Sequence, residues 1–232
     1  MESREMFLNT CGAIASAMER HGFRHSRTVQ TLRRRSADKE LSFNIHLQPE
    51  HQTSSDAIRL NPHISIQARQ LKKWWKKNHP TVSIGDTVFA SSLLDMTPLH
   101  GTKTWELTEP SRTACVDEIC TLLDHYIVPL AERFSDAQAL VRFYAESGFL
   151  LNEWLTLDSL VAIPLDFVLC YGDDEQAQQA FSRCMRTIPR THKGYALWDA
   201  LPFADPAAIT IPPEFLGANA IRLAYMHNLE LA

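Results

Sequence analysis

Residues 41–48 read LSFNIHLQ. Leu41, Phe43, Ile45 and Leu47 fall on one side of an extended chain, and Ser42, Asn44, His46 and Gln48 fall on the other. Period-two alternation of this strictness marks a strand with one buried and one wet face. Such half-wet strands belong to antiparallel sheets. Working outward, Val29 to Arg35 precedes it across a polar turn at Ala37–Glu40, and Ile58 to Gln67 follows the polar stretch Glu50–Asp56. The later run alternates too, with Ile64, Ile66 and Ala68 opposite Asn61, His63, Ser65 and Gln67. The expectation is an antiparallel meander with one apolar side. A shorter strand at Thr81 to Ala90, and another at Lys103 to Leu107, would extend it beyond a loop holding Pro98 and Gly101.

The cover for the apolar side lies upstream. Phe7, Cys11, Ile14, Ala15 and Met18 recur at helical spacing over residues 4–20, and Gly22 follows as a left-handed C-cap. From Pro110 the pattern turns helical again. Glu109 or Ser111 can cap, and Val116, Ile119, Cys120, Leu123, Ile127 and Leu130 make a long stripe. Pro129 should kink or end that helix, because it lacks an amide donor and clashes with the turn before it. Ala137 to Ser147 reads as a helix closed by Gly148. Leu155–Tyr171 and Asp173–Thr187 read as a helix pair around Gly172. The Pro-rich stretch Ile188 to Pro213 reads as irregular, and a last helix is expected from Glu214 to about Leu229. The fold class expected is α+β: an antiparallel sheet of about four or five strands on helices, residues 1–150, with a helical part over 151–232 packed on it as one unit. The boundary falls near residues 148–155.

Charge is divided along the chain. Residues 1–79 hold 14 Lys and Arg against 7 Asp and Glu, a balance of +7, while residues 80–232 stand at −11. Such asymmetry speaks about partners and encounter rates. The five cysteines, Cys11, Cys115, Cys120, Cys170 and Cys184, are odd in number and include no C-x-x-C pair. That argues against a disulfide framework and for a reducing cytosol. Met1 to Glu5 is polar and charged, without the apolar core of a secretory leader. The longest apolar stretch, Leu155 to Tyr171, is broken by Asp158, Pro164 and Asp166, so no membrane span is expected.

Catalytic patterns do not declare themselves. His21 and His25 are four apart but no H-E-x-x-H occurs, and no metal is expected. Neither G-x-x-x-x-G-K-[ST], G-x-G-x-x-G nor G-x-S-x-G is present, so no cofactor or nucleophile is expected. Nucleic acid is a stronger candidate, through Arg33, Arg34, Arg35 and the KKWWKK run of Lys72 to Lys77. Against it, consecutive strand residues point to opposite faces, so the three arginines cannot form one patch. Two surfaces remain as candidate partner sites. One is the polar sheet face, where Asn44, His46, Gln48, Asn61, His63 and Gln67 would gather, joined by Arg33 and Arg35. The other is the acidic C-terminal surface of Asp158, Asp166, Asp173, Asp174 and Glu175, with Asp199 and Asp205 nearby in sequence. It could meet a basic protein such as a nuclease toxin.

The string MFLNTCGAIASAMERHGFRHS, then TLRRRSADKELSFNIHLQPE and LNPHISIQ, resembles the bacterial family labelled domain of unknown function 4304. The matching positions are the helix ending in Gly22-Phe23, the strand ending in Leu47-Gln48 and the Pro129-Leu130 step of the later helix. LDFVLCYGDDEQAQQAFSRCM is similar to the helix, Gly-Asp turn and helix of longer members, and the similarity covers residues 4–187. Some members resemble immunity proteins beside secreted toxins. The resemblance carries no catalytic set. With the charge split, it implies a non-catalytic, cytoplasmic immunity-type protein. Such a protein binds and neutralises a cognate toxin, with a nuclease effector of a contact-dependent (type VI) system as the expected partner. The alternatives are a small-ligand binder or enzyme around His46 and His63, and a nucleic-acid binder through Lys72 to Lys77.

Overall fold

The computed structural model describes residues 3–50, 58–80, 85–100, 103–189, 191–203 and 215–231. The start of the strand expected from Thr81, Gly101, Asp205 and the expected helix start at Glu214 lie outside them. The architecture is α+β, as the alternation of residues 41–48 implies. An antiparallel sheet runs in the order β1 (Arg24–Ser26), β2 (Thr31–Arg35), β3 (Leu41–Glu50), β4 (Ile58–Ala68) and β5 (Thr87–Ser92), with β6 (Trp105–Leu107) also on β4. The register sets Asn44 against Ser65, His46 against His63 and Gln48 against Asn61. A bulge between Ile66 and Gln67 shifts the β4–β5 ladder.

Helix α1 (Ser3–Glu19) covers the apolar face, burying Cys11, Ile14 and Met18 with Phe43, Ile45 and Ile64 of the sheet. It ends as expected. Gly22 takes φ +79°, its amide bonds Glu19 O at 2.9 Å, and Phe23 N bonds Met18 O at 3.4 Å. This paired closure needs a left-handed residue, which glycine supplies without a Cβ penalty. Phe23, 1% exposed, then enters the core and leads into β1. The β2–β3 turn docks on the helical half. Asp38 Oδ2 accepts from Ala137 N at 2.9 Å and Ala37 N donates to Ser135 O at 2.8 Å.

Three expectations are corrected. The stripe from Ser111 onward does not end at Pro129, and the irregularity expected there takes the form of a π turn. Helix α3 (Arg112–Leu122) passes through a π turn at Leu123–Ile127 into α4 (Val128–Arg133). The wider turn lies where a proline's missing donor and ring clash fall, so the chain bypasses the defect and stays helical. The helix expected over Leu155–Tyr171 forms only as α6 (Leu165–Tyr171), after α5 (Ala137–Glu146). Pro164 sits at its N-cap, because proline and the residue before it both resist an upstream helix. The stretch after Ile188, read as irregular, contains α8 (Thr191–Ala200), which follows α7 (Asp174–Thr187) and precedes α9 (Ala218–Met226).

The apolar core is continuous across residues 148–155. Phe149, Leu151 and Leu155 join the same cluster as Phe43 of the sheet and Phe181 and Ile221 of the last helices. Among the described residues, no helix is long and apolar enough to cross a membrane. All five cysteines are free, and burial pushes Cys11 and Cys184 up to about 12.

Candidate functional site

The polar face of the sheet is built by register. Because Arg33 stands opposite Asn44, and Asn44 opposite Ser65, side chains from three strands meet in one row. Arg33 Nε donates to Asn44 Oδ1 at 2.8 Å, and Asn44 Nδ2 donates to Gln67 Oε1 at 3.2 Å and Ser65 Oγ at 3.4 Å. The next row holds Thr31, His46 and His63. His46 Nδ1 lies 3.1 Å from Thr31 Oγ1 and its Nε2 lies 2.9 Å from Ser65 Oγ. Both ring nitrogens are thus engaged by hydroxyls. Burial first, then His63 and Arg33, hold the His46 pKa below the usual imidazole range.

At the β1–β2 end of this face the charge among the described residues is one-signed, whereas on β4 Arg59 pairs with Glu106 of β6 at 3.2 Å. Strand β1 sets Arg24 directly opposite Arg33. Arg33 and Arg35 are exposed on the polar side, while Arg34 turns away and lies 4.0 Å from Glu132. Among the described residues, Arg24, Arg33 and Arg35 form no salt bridge. Like charges placed directly across a ladder cost stability, on the order of 0.2–1 kcal/mol. Among the described residues, no carboxylate pairs with Arg24 or Arg33 to offset it. Sequence reasoning gathered Asn44, His46, Gln48, Asn61, His63 and Gln67, and the register places all six on this side. It missed Arg24, because three residues of strand are too short for alternation to register. Asn44 is fully buried under its neighbours and acts as the hub of the network rather than as a contact.

The acidic C-terminal residues do not gather in the same way. The Asp166 carboxylate is turned inward and accepts from Trp75 Nε1 at 2.8 Å. Burial pushes its pKa up to about 6, against the lowering pull of that hydrogen bond. Asp166 therefore leaves the expected partner surface. Asp173 is the N-cap of α7: its Oδ1 accepts from Gln176 N at 2.8 Å, and Gln176 Oε1 accepts from Asp173 N at 3.1 Å. Asp174 and Glu175 occupy the first turn behind it, where the helix dipole favours acids. Asp158 is exposed in a short 3-10 turn, Leu157–Ser159.

The KKWWKK run is helix α2 (Leu71–Asn78). Its four lysines are exposed, but Trp75 is buried and Trp74 stacks on His227 with centroids 5.4 Å apart and rings inclined by 21°. Both indoles are committed within the fold. His79 Nε2 and His227 Nε2 face each other at 3.3 Å beside them. Burial lowers both imidazole pKa values, which keeps the pair uncharged near neutrality. Among the described residues, no group of three or more His, Cys, Asp or Glu is placed to hold a metal ion.

Neither a family model, a curated protein nor a solved structure matches this chain. The likeness to the domain of unknown function 4304 family rests on the residues quoted for it alone.

Proposed function

We propose that this chain is a non-catalytic binding protein of the immunity type, which holds a cognate toxin or effector protein against the polar face of its sheet. The observation that carries this reading is the Arg24–Arg33 pair, directly opposed and without a neutralising carboxylate among the described residues. A partner presenting carboxylates would relieve that repulsion on docking and gain charge-assisted hydrogen bonds. The preformed network around Asn44 holds the face in one arrangement, so little side-chain entropy is lost on binding. Occlusion with slow dissociation would neutralise a toxin without any chemistry. The partner named here is defined by its carboxylates. The basic nuclease expected from the sequence would need an acidic surface that the chain partly uses for capping and core polarity.

The test is co-expression with the product of the adjacent gene. The expected result is a stable complex and protected cells, with both lost in an Arg24→Glu/Arg33→Glu variant. Absence of any complex with a neighbouring product would sink the reading. Tight nucleic-acid binding with a steep salt dependence would replace it with the nucleic-acid alternative.

One contact favours a second reading. Ser65 Oγ and His46 Nε2, 2.9 Å apart, have the spacing of a nucleophile and its base. Their third member is the Thr31 hydroxyl, which cannot stabilise an imidazolium as a carboxylate does. An ester hydrolysis assay with Ser65→Ala as control decides it: turnover abolished by that change would establish an enzyme.

A further inference from the structure

The free edge of the sheet lies next to this face, and it has the form of a strand acceptor. Strand β1 ends the strand order, so among the described residues its outer side pairs with no strand. Leu47 N donates to Gln30 O at 2.9 Å, which fixes the hydrogen-bonding phase of β2. In that phase Thr31 and Arg33 turn their backbone groups toward β1. Arg24 and Ser26, opposite them, point back into the ladder. The N–H and C=O of His25 therefore point outward.

Two grooves flank this edge, and Arg24 and His25 line both. One, of 1030 Å³, runs between β1 and α1 over Leu8, Gly12, Ser16 and Phe23. A Cβ built on Gly12 would meet nothing within 4 Å, so the floor is open there. The other, of 240 Å³, lies on the polar face beside Val29, Thr31 and Arg33. Leu8 and Val29, 42% and 62% exposed, put one apolar side chain in each groove. Successive side chains of an added strand point alternately to the two faces of a sheet. One set would enter the α1 groove and the other would meet Arg24 and Arg33.

We propose that β1 accepts an extended segment of a partner protein as an additional strand, with apolar side chains toward α1 alternating with acidic side chains toward Arg24 and Arg33. Main-chain bonds to His25 supply affinity and the two grooves supply specificity. The inference rests on the reading of the chain as a partner-binding protein and names the mode of capture. Charge selects the occupant. Glu19 is the one carboxylate among the described lining residues of either groove, against Arg24, Arg27 and Arg33. A second copy would bring those arginines against their own equivalents, which disfavours pairing between copies.

The probe is a fluorescein-labelled peptide of four glutamate–valine repeats, with a lysine–valine counterpart, added to the full chain. Anisotropy should show at least tenfold tighter binding of the glutamate peptide. Amide exchange at His25 should slow at least tenfold when it is bound. His25→Pro removes the outward donor and leaves the β1–β2 ladder intact, since an edge tolerates proline where its N–H faces outward. It should weaken binding at least tenfold. Gly12→Leu fills the α1 groove and should do the same, whereas Gly12→Ala should bind as the parent does. If His25→Pro fails to fold, exchange protection on the parent protein still decides. Three outcomes overturn the proposal: no binding, binding without protection of the His25 amide, or His25 protection in a peptide-free dimer. A complex with the adjacent gene product that persists in His25→Pro would overturn strand capture while leaving the immunity reading standing.

Discussion

In the sheet, Arg24, Arg33 and Arg35 stand on one face because register and alternation put them there, and no carboxylate among the described residues pairs with them. In the helical half, Asp136 and Asp173 accept from the amides of Ala139 and Gln176, and Asp166 accepts from the Trp75 indole. Strands β1 and β2 thus pool charge on one surface, whereas these three acids of the helical half each serve a local task. Net charge by segment suggests the reverse, since consecutive arginines must split between faces. Arg34 does split off, but β1 supplies Arg24 in its place. A charge count along the chain becomes a surface only after register and capping have been accounted for.

The largest expected effect breaks this comparison if it fails. Arg24→Glu/Arg33→Glu/Arg35→Glu should weaken binding of the co-expressed partner by at least a hundredfold, about 2.7 kcal/mol. Asp158→Asn/Asp174→Asn/Glu175→Gln should change it by no more than about twofold. Titration calorimetry on both triple variants reads the contrast. The opposite ranking would return the interface to the acidic half.

Asp166 gives the next effect, in stability rather than binding. Its folded pKa, about 6, is raised above the ordinary value of 3.8. A raised folded pKa contributes stability that is complete below pH 3.8 and is lost as pH rises through 6. The loss is on the order of 2–3 kcal/mol for a shift of this size. Asp166→Asn keeps an acceptor for Trp75 Nε1 and should remove that pH dependence, leaving the variant more stable than the parent at pH 7. Urea melts of both proteins between pH 4 and pH 7 isolate the difference. The lowered pKa values of His79 and His227 act in the opposite direction, adding stability as pH rises toward 6.5, and they cancel in the comparison.

Capping sharpens the same contrast at smaller scale. Asp173→Ala removes the side-chain acceptor of a reciprocal capping box and should cost about 1–2 kcal/mol. Asp174→Ala, one position along, alters only the dipole interaction and should cost a few tenths. Equal effects in thermal melts would show that the acids of α7 act as a field and not as a cap.

What the sequence made legible follows from the length of its patterns. Residues 41–48 carry four full alternations, and α1 carries a stripe from Phe7 to Met18, so both elements and their packing are readable. Asn44, His46, His63 and Gln67 follow, because period two assigns their face. Arg24 was not readable, since Arg24–Ser26 is too short to show a period and is set by the Gly22 turn and the Phe23 anchor. Helix α2 was hidden because Leu71 and Trp75 are its buried positions among four lysines, and the run reads as charge before it reads as a face. Asp166 looked like surface because its partner, Trp75, is 91 residues away in sequence.

The smallest effect returns to the opposed arginines. Arg24→Glu alone would turn a like-charge pair into an ion pair across the β1–β2 ladder, because the register sets residue 24 directly against Arg33. The change from repulsion to attraction should stabilise the fold by up to about 1 kcal/mol, a rise of a few degrees or less in Tm for a chain of this size. Salt should erode the gain, since both groups are exposed. The same variant should bind the partner more weakly. A substitution that raises stability and lowers binding together marks a position where the fold carries a cost for function. A surface without a partner has no reason to bind less well once its repulsion is removed. Melting Arg24→Glu at low and high salt, beside its partner titration, separates the two. Stabilisation with unchanged binding would leave the opposed arginines as a plain local defect and remove the observation on which the polar-face reading rests.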